Sequence, residues 1–141
     1  MKSALRNEAR VVVDACALIA FLNNEPGADV VEDALKHVAS VEIASINLLE
    51  VAYDAVRKTG RPEAAAEVLR DVESLPITIH RFIDDDMIKR AAFFKTRFRI
   101  SLADSVVLAF SDQAEAPLLT SDHGEFDPVE SAGLVRFIWI R

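Results

Sequence analysis

Short runs of β-branched and other apolar residues alternate along this chain with longer segments whose apolar positions recur at helical spacing, and this alternation restricts the fold more than any other feature. Residues 10–14, Arg-Val-Val-Val-Asp, form a continuous β-branched run closed by an acid. A strand covered on both faces reads this way, because neither face tolerates polar residues. Residues 15–22 read as helix, Pro26-Gly27 breaks it, and residues 28–39 resume the pattern with Val30, Val31, Ala34, Leu35 and Val38. Residues 41–45 are strand-like, and Ser45 or Asn47 can cap a helix that runs to about Lys58, where Thr59-Gly60 stops it. Pro62 suits the first turn of a helix over 63–75, and residues 76–80 form a third strand candidate. Asp84, Asp85 and Asp86 complement the dipole of an amphipathic helix over 84–98, and Ser101 starts another reaching Ala114. Residues 117–120 and 135–140 supply the last two strands. Helical crossovers between strands require parallel pairing, so the expectation is an α/β fold with a parallel sheet and helices on both faces.

At 141 residues the chain suits a single domain spanning 1–141. No apolar stretch approaches the ~20 residues that span a bilayer. The first ten residues carry Lys2, Arg6 and Arg10 and lead straight into Val11 without an apolar leader segment, and Cys16, the single cysteine, allows neither an intrachain disulfide nor a zinc site. A reducing, cytoplasmic location is expected. The net charge of −7 opposes a broad basic surface for nucleic acid, although Lys89, Arg90, Lys95, Arg97 and Arg99 fall within one short segment.

Ligands of open parallel sheets bind beyond the carboxyl ends of the strands, where the strand order reverses. Asp14 closes the first strand candidate and Asp122 lies just past Leu118-Leu119-Thr120, so both fall on that edge. Glu50 and Asp104 lie in the first turns of helices that begin after residues 41–45 and 98–100. Taken singly, each acid has a structural explanation: Asp14 can cap a helix, Glu50 and Asp104 can close capping boxes with Asn47 and Ser101, and Asp122 can sit in a turn. Taken together, four converging carboxylates would repel one another unless a hard cation lay among them. Mg²⁺ or Mn²⁺ suits all-oxygen ligands and supplies a water activated for attack on a phosphate. His37, His80 and His123 lie in unrelated contexts, and no Ser-His-Asp or Cys-His set accompanies them.

The motifs Val12-Val13-Asp14-Ala15-Cys16-Ala17-Leu18, Leu22-Asn23-Asn24-Glu25-Pro26-Gly27-Ala28, Asn47-Leu48-Leu49-Glu50-Val51, Ser101-Leu102-Ala103-Asp104 and Leu119-Thr120-Ser121-Asp122 span nearly the whole chain. In that order the sequence resembles the PIN-domain family, and within it the VapC-like toxin ribonucleases of bacterial toxin–antitoxin pairs. The resemblance implies a three-layer α/β/α sandwich with a mostly parallel sheet and a Mg²⁺- or Mn²⁺-dependent endoribonuclease whose metal ligands are Asp14, Glu50, Asp104 and Asp122. It assigns Thr120 a supporting hydrogen bond and Asp127 an outer place, where capping before Pro128 is the competing explanation. It also implies a homodimer and an antitoxin whose C-terminal segment lies in an apolar groove near the site. Two positions depart from the pattern: Cys16 stands where relatives carry Ser or Thr, and Arg99 where many carry Gly.

Lys95, Arg97 and Arg99 lead into the Asp104 helix and are the candidate RNA contacts, against the simpler reading of a solvated helix face. The helical spacing of Phe93, Phe94 and Phe98 suits core or dimer packing better than base stacking. Two other readings remain open at this level: a structure-specific DNA nuclease using the same carboxylates, and a catalytically silent RNA-binding domain.

Overall fold

The structure, a computed structural model, describes residues 3–141; Met1 and Lys2, part of the segment read above as lacking a leader, lie outside it. A short 3-10 turn (Ser3–Leu5) precedes β1 (Arg10–Val13), α1 (Ala15–Leu22), α2 (Ala28–His37), β2 (Ser40–Ala44), α3 (Ser45–Thr59) and α4 (Ala64–Glu73). There follow β3 (Thr78–His80), α5 (Asp85–Arg97), α6 (Leu102–Ala114), β4 (Leu118–Thr120), α7 (His123–Ser131) and β5 (Phe137–Trp139). The strands form one sheet in the order β3-β2-β1-β4-β5, and every pair is parallel. The chain winds outward from β1 through β2 to β3, then returns to the other side of β1 with β4, so the order reverses between β1 and β4.

The continuous valine run of β1 is explained by what covers it. Val11 and Val13 are fully buried with Ile43 and Leu119 against α1, α2, α3 and α4. Val12, also fully buried, faces the other way with Ala44 and Leu118 into a second core built from α5, α6 and α7, where Phe94 and Phe126 are the largest buried side chains. No helix among the described residues is long and apolar enough to cross a membrane.

One charged residue interrupts the buried strands. The Glu42 carboxylate on β2 accepts from Arg10 Nε at 2.7 Å and Nη2 at 2.9 Å, and lies 2.6 Å from His80 Nε2. Burial pushes its pKa up, but the hydrogen bonds from Arg10 and His80 outweigh that and hold it below the usual carboxylate range. Helix α7 is an element beyond those the sequence pattern predicts, because Gly124 and Pro128 both disfavour a helix interior. It starts at His123 on an Asp122 cap, so Asp127 sits within the helix rather than capping one at Pro128.

Gly27, the N-cap of α2, has φ +96°, and a Cβ there would lie 2.8 Å from the Ile140 carbonyl oxygen. Strain and clash act together in Gly27→Ala. The substitution is expected to lower stability by at least about 1 kcal/mol, read as a lower denaturant midpoint at unchanged slope in a urea titration.

Candidate active site

The best-ordered acid is Asp14. Its backbone N–H continues the sheet by donating to the Leu119 carbonyl at 3.0 Å, and its side chain then turns into the N-terminus of α1, where Ala15 N–H donates to Oδ1 at 2.8 Å. Oδ2 accepts from the Thr120 hydroxyl at 2.8 Å and from the Cys16 thiol at 3.4 Å. Thr120 Oγ1 also accepts from the Asp122 N–H at 3.1 Å, so one hydroxyl joins the first acid to the backbone of the last. Cys16 Sγ lies 3.3 Å from that hydroxyl and accepts from Ser121 N–H at 3.4 Å. The thiol therefore bonds the same carboxylate oxygen as the Thr120 hydroxyl. Burial and the Asp14 charge raise its pKa to about 11, which keeps it a neutral donor.

The other acids arrive from helix starts. Asp122 caps α7, accepting from Glu125 N–H at 3.2 Å. Ser101 caps α6 by accepting from Asp104 N–H at 3.0 Å, which leaves the Asp104 carboxylate on the first turn. Asn47 does not cap α3: the N-cap is Ala44, and the fully buried Asn47 donates from Nδ2 to Glu50 Oε1 at 2.9 Å, orienting that carboxylate inside the helix. Asn47 Oδ1 has no hydrogen-bond partner among the described residues.

The four side chains sense one another. Burial raises the pKa of Asp104 to about 7, with further upward pressure from Asp14, Asp122 and Glu50. Asp14 is raised by burial against the bonds from Thr120, Cys16 and Ala15, with Asp122 adding to the rise; Glu50 is raised by burial and by Asp14 and Asp122. No Lys, Arg or His forms an ion pair with any of the four among the described residues. As they stand, no three His, Cys, Asp or Glu side chains among the described residues are gathered closely enough to enclose a metal ion. The donor chemistry nevertheless fits a hard divalent cation that keeps several waters, since such ions bind through one or two carboxylates and let water fill the remaining positions.

The basic segment divides on inspection. Arg90 pairs with Asp86 and Asp112, Lys95 Nζ donates to the Ile100 carbonyl at 2.7 Å, and Arg97 lies over the rings of Phe93 and Phe98. Arg99, in the turn between α5 and α6, is exposed and has no side-chain partner among the described residues. Phe94 is core, while Phe93 is half exposed. The outer candidate Asp127 bonds His123 Nδ1 at 2.9 Å and does not join the four acids. His123, read from the sequence as lying in a context unrelated to the other histidines, directly follows Asp122 in the chain.

The sheet is parallel, and Asp14 and Asp122 follow the carboxyl ends of the two strands that flank its switch point. A PIN domain family model matches residues 11–130, and the chain belongs to that family of nucleases. No curated protein sequence matches the chain. Its fold is similar to that of the Rickettsia felis VapBC2 complex bound to promoter DNA (TM-score 0.71, 16% identity, 92% of this chain and 98% of that one). It is also similar to a Klebsiella pneumoniae toxin–antitoxin complex (0.68, 18%, 93% and 98%) and to VapC20, a sarcin-ricin-loop-cleaving toxin from Mycobacterium tuberculosis (0.65, 14%, 89% and 96%).

An Asp104 pKa near 7 fixes the sign of a pH effect. Between the unfolded value of about 4 and that folded value, the native state holds a proton that the unfolded chain has released. Stability therefore falls as pH rises through this window. In EDTA, the wild-type melting temperature is expected to drop from pH 5 to pH 8 and the drop to be smaller in Asp104→Asn. At pH 8 without metal the variant should melt at or above wild type, and Mg²⁺ should narrow or reverse that order, because the ion stabilises only the form that binds it. Thermal melts of both proteins across the two pH values, with and without Mg²⁺, check this. A loss on the order of 1 kcal/mol in every condition would mark Asp104 as a capping residue.

Proposed function

We propose that residues 1–141 act as one metal-dependent endoribonuclease, the toxin of a toxin–antitoxin pair, with Asp14, Glu50, Asp104 and Asp122 as its metal-binding and catalytic acids. The observation that carries this reading is the electrostatic coupling of the four carboxylates at the switch point without a basic partner. A divalent cation held there, Mg²⁺ or Mn²⁺, supplies an activated water and offsets the charge that develops on the phosphate. Asp14, fixed by Ala15, Cys16 and Thr120, provides the rigid ligand. Asn47 aims Glu50, and the first turn of α6 presents Asp104. With its pKa near 7, Asp104 can hold a proton at neutral pH and give it up when a cation arrives.

Arg99 is free to meet an RNA phosphate, while Lys95 and Arg97 contribute their charge from beside it. Sequence-specific cleavage of this kind acts on unpaired RNA whose bases can be splayed out. A homodimer and an antitoxin are supported by exposed apolar residues, Leu49 and Tyr53 on α3 and Ile88 and Leu102 on α5 and α6. A groove of about 330 Å³ lined by Ile46, Ile83, Ile88, Leu102 and Val106 runs beside the Asp104 helix and is the surface such partners would cover. A basic side chain from an antitoxin segment could pair with the acids and exclude the cation. The toxin would act in the cytoplasm, where its RNA targets lie.

Purified protein is expected to cleave RNA with Mg²⁺ or Mn²⁺, poorly with Ca²⁺, and not after chelation. Asp14→Asn and Asp104→Asn should each lower the rate at least about a hundredfold and relieve growth arrest on expression while remaining soluble. Full activity in EDTA, or equal toxicity of the variants, would contradict the mechanism. Cleavage of flap DNA in preference to RNA would move the chain to the DNA-nuclease reading.

A further inference from the structure

Beside the carboxylates, aromatic rings of β5 and α7 form a stack. Phe137 and Trp139 are two apart on β5 and so share a face, with ring centroids 5.2 Å apart and planes at 13°. His123 lies on Trp139 with centroids 3.8 Å apart and planes at 15°. Trp139 is the register partner of Thr120 on β4, whose hydroxyl bonds Asp14, so the backbone that carries the stack lies one strand, ~4.8 Å, from the backbone of Thr120. His123 also follows Asp122 directly in the chain.

The His123 ring is held on three sides. Nδ1 bonds Asp127 Oδ1 at 2.9 Å, Nε2 bonds the backbone oxygen of Arg141 at 3.0 Å, and one face rests on Trp139. Trp139 is anchored in turn, its Nε1–H donating to Glu130 Oε2 at 2.8 Å. The His123 side chain is still 48% exposed, and with both ring nitrogens and one face engaged, that exposure falls on the face turned away from Trp139.

We infer that this outer face of His123 is a stacking platform for an unpaired base of the RNA, next to the phosphate presented to the carboxylates. The inference rests on the ribonuclease reading above. A ring already fixed in its plane loses little freedom when a base settles on it, which favours binding. Stacking accepts any base, since each offers a π face, so the platform would hold a nucleotide in place without reading its identity. Paired bases are covered by their own neighbours, and the platform therefore favours unpaired RNA. The competing role for His123 is purely structural, tying α7 to the backbone at Arg141 through its two hydrogen bonds.

Substitutions separate the two roles. In the Asp104→Asn background, which suppresses cleavage, a fluorescein-labelled unpaired oligoribonucleotide is titrated with Mg²⁺ present and its Kd read by anisotropy. His123→Ala and His123→Leu are expected to raise Kd about tenfold, whereas His123→Phe, which keeps an aromatic face but loses both hydrogen bonds, should stay within about twofold of the parent. Equal Kd values in all four proteins would overturn the platform. So would a His123→Phe protein as weak as His123→Ala, because the shared loss of the two hydrogen bonds would then explain the effect. If neither the parent nor the wild-type protein in Ca²⁺ bound RNA, the ribonuclease reading itself would fall, and the platform with it.

Discussion

Burial of neighbouring carboxylates that have no basic partner is the constraint on which the remainder of this structure depends. Burial above all, with the neighbouring acids adding to it, raises the pKa values of Asp14, Glu50 and Asp104, so holding these acids charged without a basic partner opposes folding. The arrangement persists because the elements carrying the acids are fixed by other forces. Asp14 follows a strand buried on both faces, and Asp104 starts a helix with eight buried residues. The cores fix the backbone, and the backbone leaves the acids no separate places to go.

Topology then makes the gathering specific. Because strand order reverses between β1 and β4, the chain leaves the ends of these neighbouring strands in opposite directions, opening a crevice at the carboxyl edge. Thr120 spans that crevice, donating to Asp14 and accepting from the Asp122 N–H. Cys16 completes the bracket from the first turn of α1. A thiol is a weaker donor than a hydroxyl, so orientation of Asp14 leans more on Thr120 here than it would with Ser or Thr at position 16.

The architecture was legible because burial on two faces leaves a plain record: Val11, Val12 and Val13 have to be apolar, and helices with one covered face show their period. The positions of Asp14 and Asp122 could be read for the same reason, since Asp14 directly follows one such strand and Asp122 lies two residues past another. Contacts between distant residues were not legible. Nothing local indicates that Glu42 meets Arg10 and His80, or that His123 lies on Trp139. Helix α7 was hidden by Gly124 and Pro128, whose propensities are overridden by burial of Phe126 and Val129. Asn47 looked like a cap from its spacing to Glu50, but the helix begins two residues earlier, which turns the same pair into a positioning contact. In the basic segment, composition could not distinguish Arg99 from Arg90, Lys95 and Arg97, which the fold engages internally.

The central claim is that the four carboxylates form one cation site whose acids share protons until the cation arrives. Its most direct test is calorimetric titration of the protein with Mn²⁺ at pH 6.5 in two buffers of different ionisation enthalpy, which yields the number of protons released on binding. With Asp104 near pKa 7, binding should release on the order of one proton, and Asp104→Asn should remove most of that release. Binding without proton release, or release unchanged in the variant, would contradict the account.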